Sequence, residues 1–277
     1  MSLRTLLSIL LSLALAAGLA AQFPQGYRQR REARPIYNGL PRHDGVPDRG
    51  FTFCLLAYTR VRMEDGGLGW STDYPLAGAN FMTRLSELTP TTISRWPDGE
   101  AGHAVVRATD HELFECPFLF ASDVGTMGLD PTEIERLREY LFKGGFLWAD
   151  DFWGDRAWAH WVDQIERVLP GYPIVELGPD HPMFHALYRV ERVPQVPSIQ
   201  AWNRSGRRST SERGAESATP HVRAIFDENG RMLVLMSHNT DIADGWEREA
   251  ADNEFFYTFS PESYAIGVNI AVWSMTH

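Results

Sequence analysis

The stretch from Gly144 to Phe152, GGFLWADDF, most restricts the folds open to this chain. Two glycines are followed by the apolar run FLWA, and two carboxylates close the segment. An apolar run this short, bounded by turn residues, is typical of a strand buried on both faces of a parallel sheet. Ligands of open α/β sheets bind in the crevice at the carboxyl ends of the strands. Asp150 and Asp151 therefore mark the edge of the sheet where we expect a site.

Strand and helix patterns alternate on both sides of this segment. The predicted strands are 51–59, 118–121, 173–177, 222–226 and 232–236, with short candidates at 91–93 and 104–108. The predicted helices are 76–88, a segment opening at Asp130 and ending at Gly144, 155–169 and 261–275. Two successive strand-then-helix units indicate a parallel sheet with right-handed crossovers. The polar stretch Asn203 to Pro220 is predicted to be a mobile surface loop outside the fold.

The first 50 residues differ in composition from the rest. Residues 1–21 combine Arg4, an apolar run and small residues, the pattern of a secretory signal peptide. An uncleaved membrane anchor is the alternative, although the run is short for a spanning helix. Residues 22–50 are rich in Pro, Gly and Arg, which predicts a flexible linker. We therefore expect one α/β domain over 51–277, exported to the periplasm or secreted, with membrane contact only through an uncleaved signal segment.

Charge and cysteine content exclude some partners. The formal net charge is −10, and a nucleic-acid partner is not expected for so acidic a chain. The two cysteines, Cys54 and Cys116, would be free to pair in an exported protein, but we interpret them as small buried hydrophobes. Cys and His residues do not occur at the spacing of structural zinc sites. The sequence therefore predicts no bound metal and no cofactor.

Polar and aromatic residues follow four of the predicted strands. If the first and third strands are neighbours, as in flavodoxin-like sheets, Asp73, Asp123, Asp150 and Asp151 converge at one edge. His238 is the histidine best placed to titrate there. The predicted ligand-binding residues are Trp70, Asp73, Tyr74, Asp123, Asp150, Asp151, His238 and Asn239.

Two kinds of chemistry fit these residues. Aromatic faces beside carboxylates suit a small polar or carbohydrate-like ligand. Paired carboxylates can also act as general acid and base or hold a divalent cation, which makes Asp150, Asp151 and His238 the catalytic candidates. A nucleophile elbow of the G-x-S-x-G type and a dinucleotide-binding glycine motif are both missing from the sequence. The residues alone leave open a binding module, a hydrolase and a scaffold.

Four segments, GWSTDYPLAGANF, LREYLFKGG, FLWADDFW and DHPMFHALY, resemble in this order the family labelled domain of unknown function 4159. The resemblance covers about 51–275 and implies the class I glutamine amidotransferase-like superfamily, with a three-layer α/β sandwich and a mainly parallel flavodoxin-like sheet. Amidotransferases of that superfamily use a cysteine after a central strand, whereas Ala149 or Asp150 stands in that region here. Motif positions transferred by resemblance are Trp70, Asp73, Tyr74, Asn80, Asp150, Asp151 and His181.

The resemblance implies no activity, and it marks the chain as similar to a stand-alone exported member of its family. We therefore predict a cell-envelope domain that binds a small polar or carbohydrate-like ligand, or an envelope protein, at the strand-end crevice. The alternative is a metal-assisted or acid-base hydrolase that uses the Asp150/Asp151 pair.

Overall fold

A computed structural model describes residues 50–277, together with the backbone of Ile36–Tyr37 and Leu40–Pro41. These two dipeptides pair as a short antiparallel ladder. The predicted signal peptide, 1–21, and the other residues of the predicted linker up to position 49 lie outside the described residues. Within 50–277, no helix is long and apolar enough to cross a membrane.

Seven strands form the main sheet. They are β1 (Phe53–Ala57), β2 (His103–Arg107), β3 (Phe118–Ala121), β4 (Phe146–Ala149), β5 (Val175–Leu177), β6 (His221–Phe226) and β7 (Met232–His238). Their order in the sheet is β2-β1-β3-β4-β7-β6-β5. The first five strands in this order run parallel, and β6 and β5 continue the sheet antiparallel at one edge. The predicted mainly parallel sheet is confirmed, and β1 and β3 are neighbours.

The helices are α1 (Leu76–Leu88), α2 (Pro131–Phe142), α3 (Gly154–Val168), α4 (Ile199–Arg204), α5 (Asp244–Glu247) and α6 (Asn253–Thr276). The predicted start of α2 is confirmed: the Asp130 carboxylate accepts a hydrogen bond from Glu133 N at 2.9 Å, and Glu133 Oε2 accepts one from Asp130 N at 2.9 Å. These reciprocal bonds satisfy two amides that have no partner within the helix.

Alternating side chains of the parallel strands build two cores. Cys54, Leu119 and Leu147 belong to a buried cluster with residues of α2 and α3, including Trp161. Phe53, Phe120 and Trp148 point to the other face, where they surround Trp246 at centroid distances of 6.4, 6.0 and 5.5 Å. Residues buried on both faces explain why these strands read as continuous apolar runs. Helices therefore cover both faces of the sheet.

The interpretation of the cysteines as two free buried hydrophobes was wrong. Cys54 on β1 and Cys116, just before β3, form a disulfide, with Cα atoms 5.9 Å apart. Both residues are fully buried, as expected. The pairing follows from the sheet order, because β1 and β3 are hydrogen-bonded neighbours although the cysteines are 62 positions apart.

The terminal helix was predicted to start at Pro261, but α6 begins at Asn253 and contains Pro261 in its interior. Asp252 caps it by accepting a hydrogen bond from Phe255 N at 2.9 Å. Phe255 and Phe259 are buried, and Phe259 packs edge-on against Trp202. Burial of these rings outweighs the hydrogen bond that a proline removes from a helix.

The segment 203–220 was predicted to lie outside the fold as a mobile loop, and the structure gives it fixed attachments. Gln195 Nε2 donates to Ser217 O at 2.8 Å, and Glu212 Oε1 accepts from Ser198 N at 2.6 Å. Ser217 is fully buried. Side-chain hydrogen bonds to neighbouring backbone groups anchor this stretch, and a composition-based prediction does not detect such bonds.

Candidate binding site

A cavity of about 200 Å³ lies where the loops after β1, β3, β4 and β7 meet. Its lining includes nine acidic residues and two arginines, Arg213 and Arg248. The acidic residues are Glu64, Asp65, Asp73, Asp123, Asp151, Glu212, Asp241, Asp244 and Glu247. Because parallel strands end on the same side of a sheet, this position is the one predicted for a ligand in an open α/β sheet.

Three residues that follow neighbouring strands have a left-handed backbone. Asp123 after β3, Asp151 after β4 and Asn239 after β7 have φ values of 51°, 54° and 61°. This region is uncommon for residues other than glycine, and Asp and Asn tolerate it best because their short side chains bond locally. The left-handed conformation turns the chain sharply at the end of each strand. It leaves the side chains of Asp123 and Asp151 in the cavity lining.

Three buried carboxylates meet in the cavity. Asp73, Asp151 and Asp241, which we call the aspartate triad, each place an oxygen within 4.8 Å of the other two. A second group, Asp73 with Asp244 and Glu247, satisfies the same distance limit. Arg248 Nε contacts Asp244 Oδ1 at 3.4 Å and Glu247 Oε2 at 2.8 Å, so the second group has a cation beside it.

Each triad carboxylate is held in place by one hydrogen-bond donor. Ser122 Oγ donates to Asp73 Oδ2 at 2.5 Å. Trp153 Nε1 donates to Asp151 Oδ1 at 3.0 Å, and Asp244 N donates to Asp241 Oδ1 at 2.8 Å. Donors from three separate loops therefore orient the triad before any ligand arrives.

Burial is the main influence on the triad, and it raises the pKa of each carboxyl well above its usual range. Neighbouring carboxylates add to this effect: Asp73 and Asp123 raise the pKa of Asp151, and Asp151 and Asp73 raise that of Asp241. For Asp73 the hydrogen bond from Ser122 opposes the shift. Like charges this close cannot all ionise without compensation, so the metal-free triad favours bound protons.

The predicted pair Asp150 and Asp151 separates into two roles. Asp150 is fully buried and does not line the cavity. Ser237 Oγ donates to its Oδ1, and Ala243 N donates to its Oδ2 at 3.0 Å. Asp150 therefore holds the loop that carries Asp241, whereas Asp151 faces the cavity.

His238 and Asn239 also lie outside the cavity lining. The His238 ring packs at 5.0 Å from Phe152 and 5.2 Å from Trp158, and its Nδ1 is 3.2 Å from Arg223 Nη1. Burial, with a smaller effect of Arg223, lowers the pKa of His238 to about 4. Asn239 Oδ1 accepts from Gly154 N at 2.8 Å, which satisfies the first amide of α3. Both residues thus support the surrounding structure.

The aromatic residues of the predicted site, Trp70 and Tyr74, do not line the cavity either. Trp70 and Tyr74 are half-buried and contact each other at a centroid distance of 5.9 Å, and Trp70 packs against the core. Asn80 Nδ2 donates to Trp246 O at 2.7 Å, and His181 Nδ1 accepts from Met183 N at 3.3 Å to cap a short 3₁₀ turn. The ring that does line the cavity is the buried Trp153.

Most of the acidic residues that line the cavity were not predicted from the sequence. Asp241, Asp244 and Glu247 follow β7 at intervals of three residues, which places them on one side of a helical turn. That spacing was the detectable signal. Glu212 comes from the segment predicted to be a surface loop and Glu64 from the stretch after β1, and only the tertiary structure brings them together.

The buried carboxylates predict an unusual pH dependence for the metal-free protein. Burial raises the pKa of Asp123 and Asp150 to about 7 and that of Asp244 to about 8, against about 4 in an unfolded chain. The folded state holds these protons more tightly, so the stability they contribute is complete below about pH 4, decreases as the pH rises above 4, and is fully lost only above about pH 8.

We therefore expect the melting temperature in a metal chelator to fall between about pH 7 and pH 8.5. In that pH range His238, whose pKa is lowered in the folded protein, is uncharged in both the folded and the unfolded chain. It therefore adds no pH dependence to the melting temperature. Thermal melts monitored by circular dichroism check this. A melting temperature that rises or stays level across the window would contradict the assigned pKa shifts.

The fold and the cavity define a mixed α/β domain with a large, mostly parallel sheet and an acidic crevice at its strand ends. Residues 56–275 match the family described as Domain of unknown function (DUF4159), and the chain belongs to that family. A search of curated proteins finds no match to this chain.

Proposed function

We propose that this domain binds a divalent metal cation at the aspartate triad in the strand-end cavity. The observation that carries the proposal is the approach of three buried carboxylate oxygens to within 4.8 Å of one another. The strongest charged neighbours of all three side chains are other carboxylates. A buried group of this kind is costly unless protons or a cation compensate it.

The chemistry of the triad favours a hard cation. Ca²⁺ and Mg²⁺ take oxygen ligands, and Ca²⁺–O distances of about 2.4 Å allow two ligands on opposite sides of the ion to be up to ~4.8 Å apart. The triad meets that limit. This proposal replaces the sequence-based expectation of a site without metal. It also restricts the class of ligand predicted from the sequence. A carbohydrate-like ligand was expected to contact Trp70 and Tyr74, and this aromatic pair is not part of the cavity lining.

The hydrolase alternative is not favoured. It required Asp150 or Asp151 to work with His238 as an acid-base partner. His238 packs among Phe152, Trp158 and Arg223, and neither it nor Asp150 lines the cavity.

We place the domain outside the cytoplasm, in the cell envelope or the secreted fraction. The apolar segment at the start of the sequence and the Cys54–Cys116 disulfide support this, because stable disulfides are typical of oxidising compartments. For the fold, we propose a relation to class I glutamine amidotransferase-like proteins. The β2-β1-β3-β4-β7 order of parallel strands is the flavodoxin-like order and supports it. Glutamine hydrolysis is not proposed, because amidotransferases of that superfamily use a cysteine after a central strand, whereas Ala149 ends β4 here and Asp150 and Asp151 follow it.

Titration of the metal-free protein tests cation binding. Protein stripped with a chelator and dialysed at pH 7.5 is titrated with CaCl₂ or MgCl₂ in a calorimeter and melted in parallel. At about 100 times the dissociation constant, we expect about 2.7 kcal/mol of added stability and a melting temperature raised by ~5–10 °C. NaCl of equal ionic strength is the control. No heat of binding, with no shift beyond that of NaCl, would refute the proposal.

A further inference from the structure

Arg213 joins two loops that face each other across the cavity. One is the strap, residues 205–219, and the other is the front loop, residues 61–69; both contribute to the cavity lining. Arg213 Nη2 donates to Asp65 O at 3.1 Å, a contact between residues 148 positions apart. Arg213 also faces acids at the same mouth, because it pairs with Glu212 at 3.5 Å and lowers the pKa of Glu64 against the raising effect of burial.

Hydrogen bonds within and beside the strap hold the backbone around Arg213 in place. Arg213 N donates to Ser217 Oγ at 2.8 Å, and Ser217 is fully buried. Glu212 Oε1 accepts from Ser198 N at 2.6 Å on the other side. The backbone on both sides of Arg213 is therefore held without help from the front loop.

The front loop is held at its two ends. Arg62 Nη1 donates to Gly125 O at 2.5 Å, and Gly69 N donates to Asp123 Oδ2 at 2.7 Å. Between these anchors, Asp65, Gly66 and Leu68 are exposed. Gly66 has φ +88°, a conformation in which a side chain would be strained. The middle of the loop is tied to the strap through Asp65 O and to the chain that follows it through the bond from Leu68 N to Thr72 Oγ1 at 2.9 Å.

We propose that Arg213 is a clasp that holds the front loop closed over the cavity and controls the entry and exit of the cation. The inference rests on the proposed function for its ligand, whereas the clasp itself is a property of the two loops. An entering cation is attracted by Glu64 and Glu212, the acids beside the guanidinium, which also line the cavity. Cation entry and clasp opening are therefore expected to be coupled through charge.

Hydrogen–deuterium exchange of the whole metal-free protein tests the clasp without a ligand. In Arg213→Gln, the peptide covering 62–70 is expected to exchange about three- to tenfold faster, the effect of losing one solvent-exposed hydrogen bond of ordinary strength. Arg213→Lys, which keeps the charge, should fall between Gln and the natural residue. Arg208→Gln is the matched control, because Arg208 lies on the same strap and donates to Ser205 O within it. Equal exchange in the 213 and 208 variants overturns the proposal.

Calcium release tests control of the cavity. Calcium-loaded protein is mixed with a fluorescent chelator in a stopped-flow instrument, and Arg213→Gln is expected to release Ca²⁺ about three- to tenfold faster than Arg208→Gln. Faster exchange with unchanged release would show that the clasp does not gate the site, which overturns the inference. If the natural protein takes up no Ca²⁺, the proposed function fails and there is no cation entry for Arg213 to control, while the exchange result still shows whether Arg213 closes the loop.

Discussion

Replacing Asp151 with asparagine is expected to stabilise the metal-free protein and to remove divalent-cation binding. Asparagine has the same shape, keeps an acceptor for Trp153 Nε1 and tolerates the left-handed backbone at φ 54°. The change removes the free-energy cost of ionising or protonating a buried carboxyl that has an oxygen within 4.8 Å of oxygens of Asp73 and Asp241. We expect about 2 kcal/mol of added stability at pH 8, a melting temperature ~4–8 °C higher, and at least about 100-fold weaker Ca²⁺ binding.

Thermal melts in chelator at pH 8 and calorimetric titration with CaCl₂ measure both effects on one protein sample. Asp155→Asn is the matched control, because Asp155 lies four residues further along on the exposed side of α3. It removes the same charge near the same strand end and should leave cation affinity unchanged. Stability and affinity falling together in Asp151→Asn would indicate a structural role for Asp151 and argue against the triad as a cation site.

Removing the disulfide is expected to lower the free energy of unfolding by about 2–4 kcal/mol. The bond closes a loop between residues 62 positions apart, and its main effect is to restrict the unfolded chain. The Cys54→Ala, Cys116→Ala double variant should therefore unfold at lower urea concentration while keeping the native circular dichroism spectrum. Because both sulfurs are in the core, loss of their packing adds to the effect.

Urea titrations with and without a phosphine reductant measure this difference. The reductant should shift the midpoint of the natural protein towards that of the double variant, and it should leave the double variant unchanged. A natural protein whose midpoint does not respond to the reductant, although its thiols become free, would contradict a stabilising role for the bond.

Local patterns predicted most of the regular elements, because each depends on residues close in sequence. The helix over 76–88 and the strand over 118–121 have the predicted bounds. Asp130 and Glu133 carry the helix-start signal within four residues. The predicted start of α6 was wrong because Pro261 was interpreted as the helix boundary. Burial of Phe255 and Phe259 extends the helix on the amino-terminal side of Pro261.

The site was only partly predictable. Asp73, Asp123 and Asp151 were expected to converge, and all three line the cavity. Asp150 immediately follows β4 and His238 is the last residue of β7, but their side chains point away from the cavity. Successive side chains of an extended segment point in opposite directions, so a shift of one position decides between cavity and core.

The sequence by itself determined the mixed α/β class, the place of the strands and the edge of the sheet where carboxylates gather, because these follow from periodicity and from the ends of apolar runs. The tertiary structure alone decided that Asp241 completes a triad with Asp73 and Asp151, that Cys54 pairs with Cys116, and that Arg213 reaches Asp65. Each of these contacts joins residues far apart in the chain. Strand order and side-chain direction bring them together, and a linear pattern contains neither.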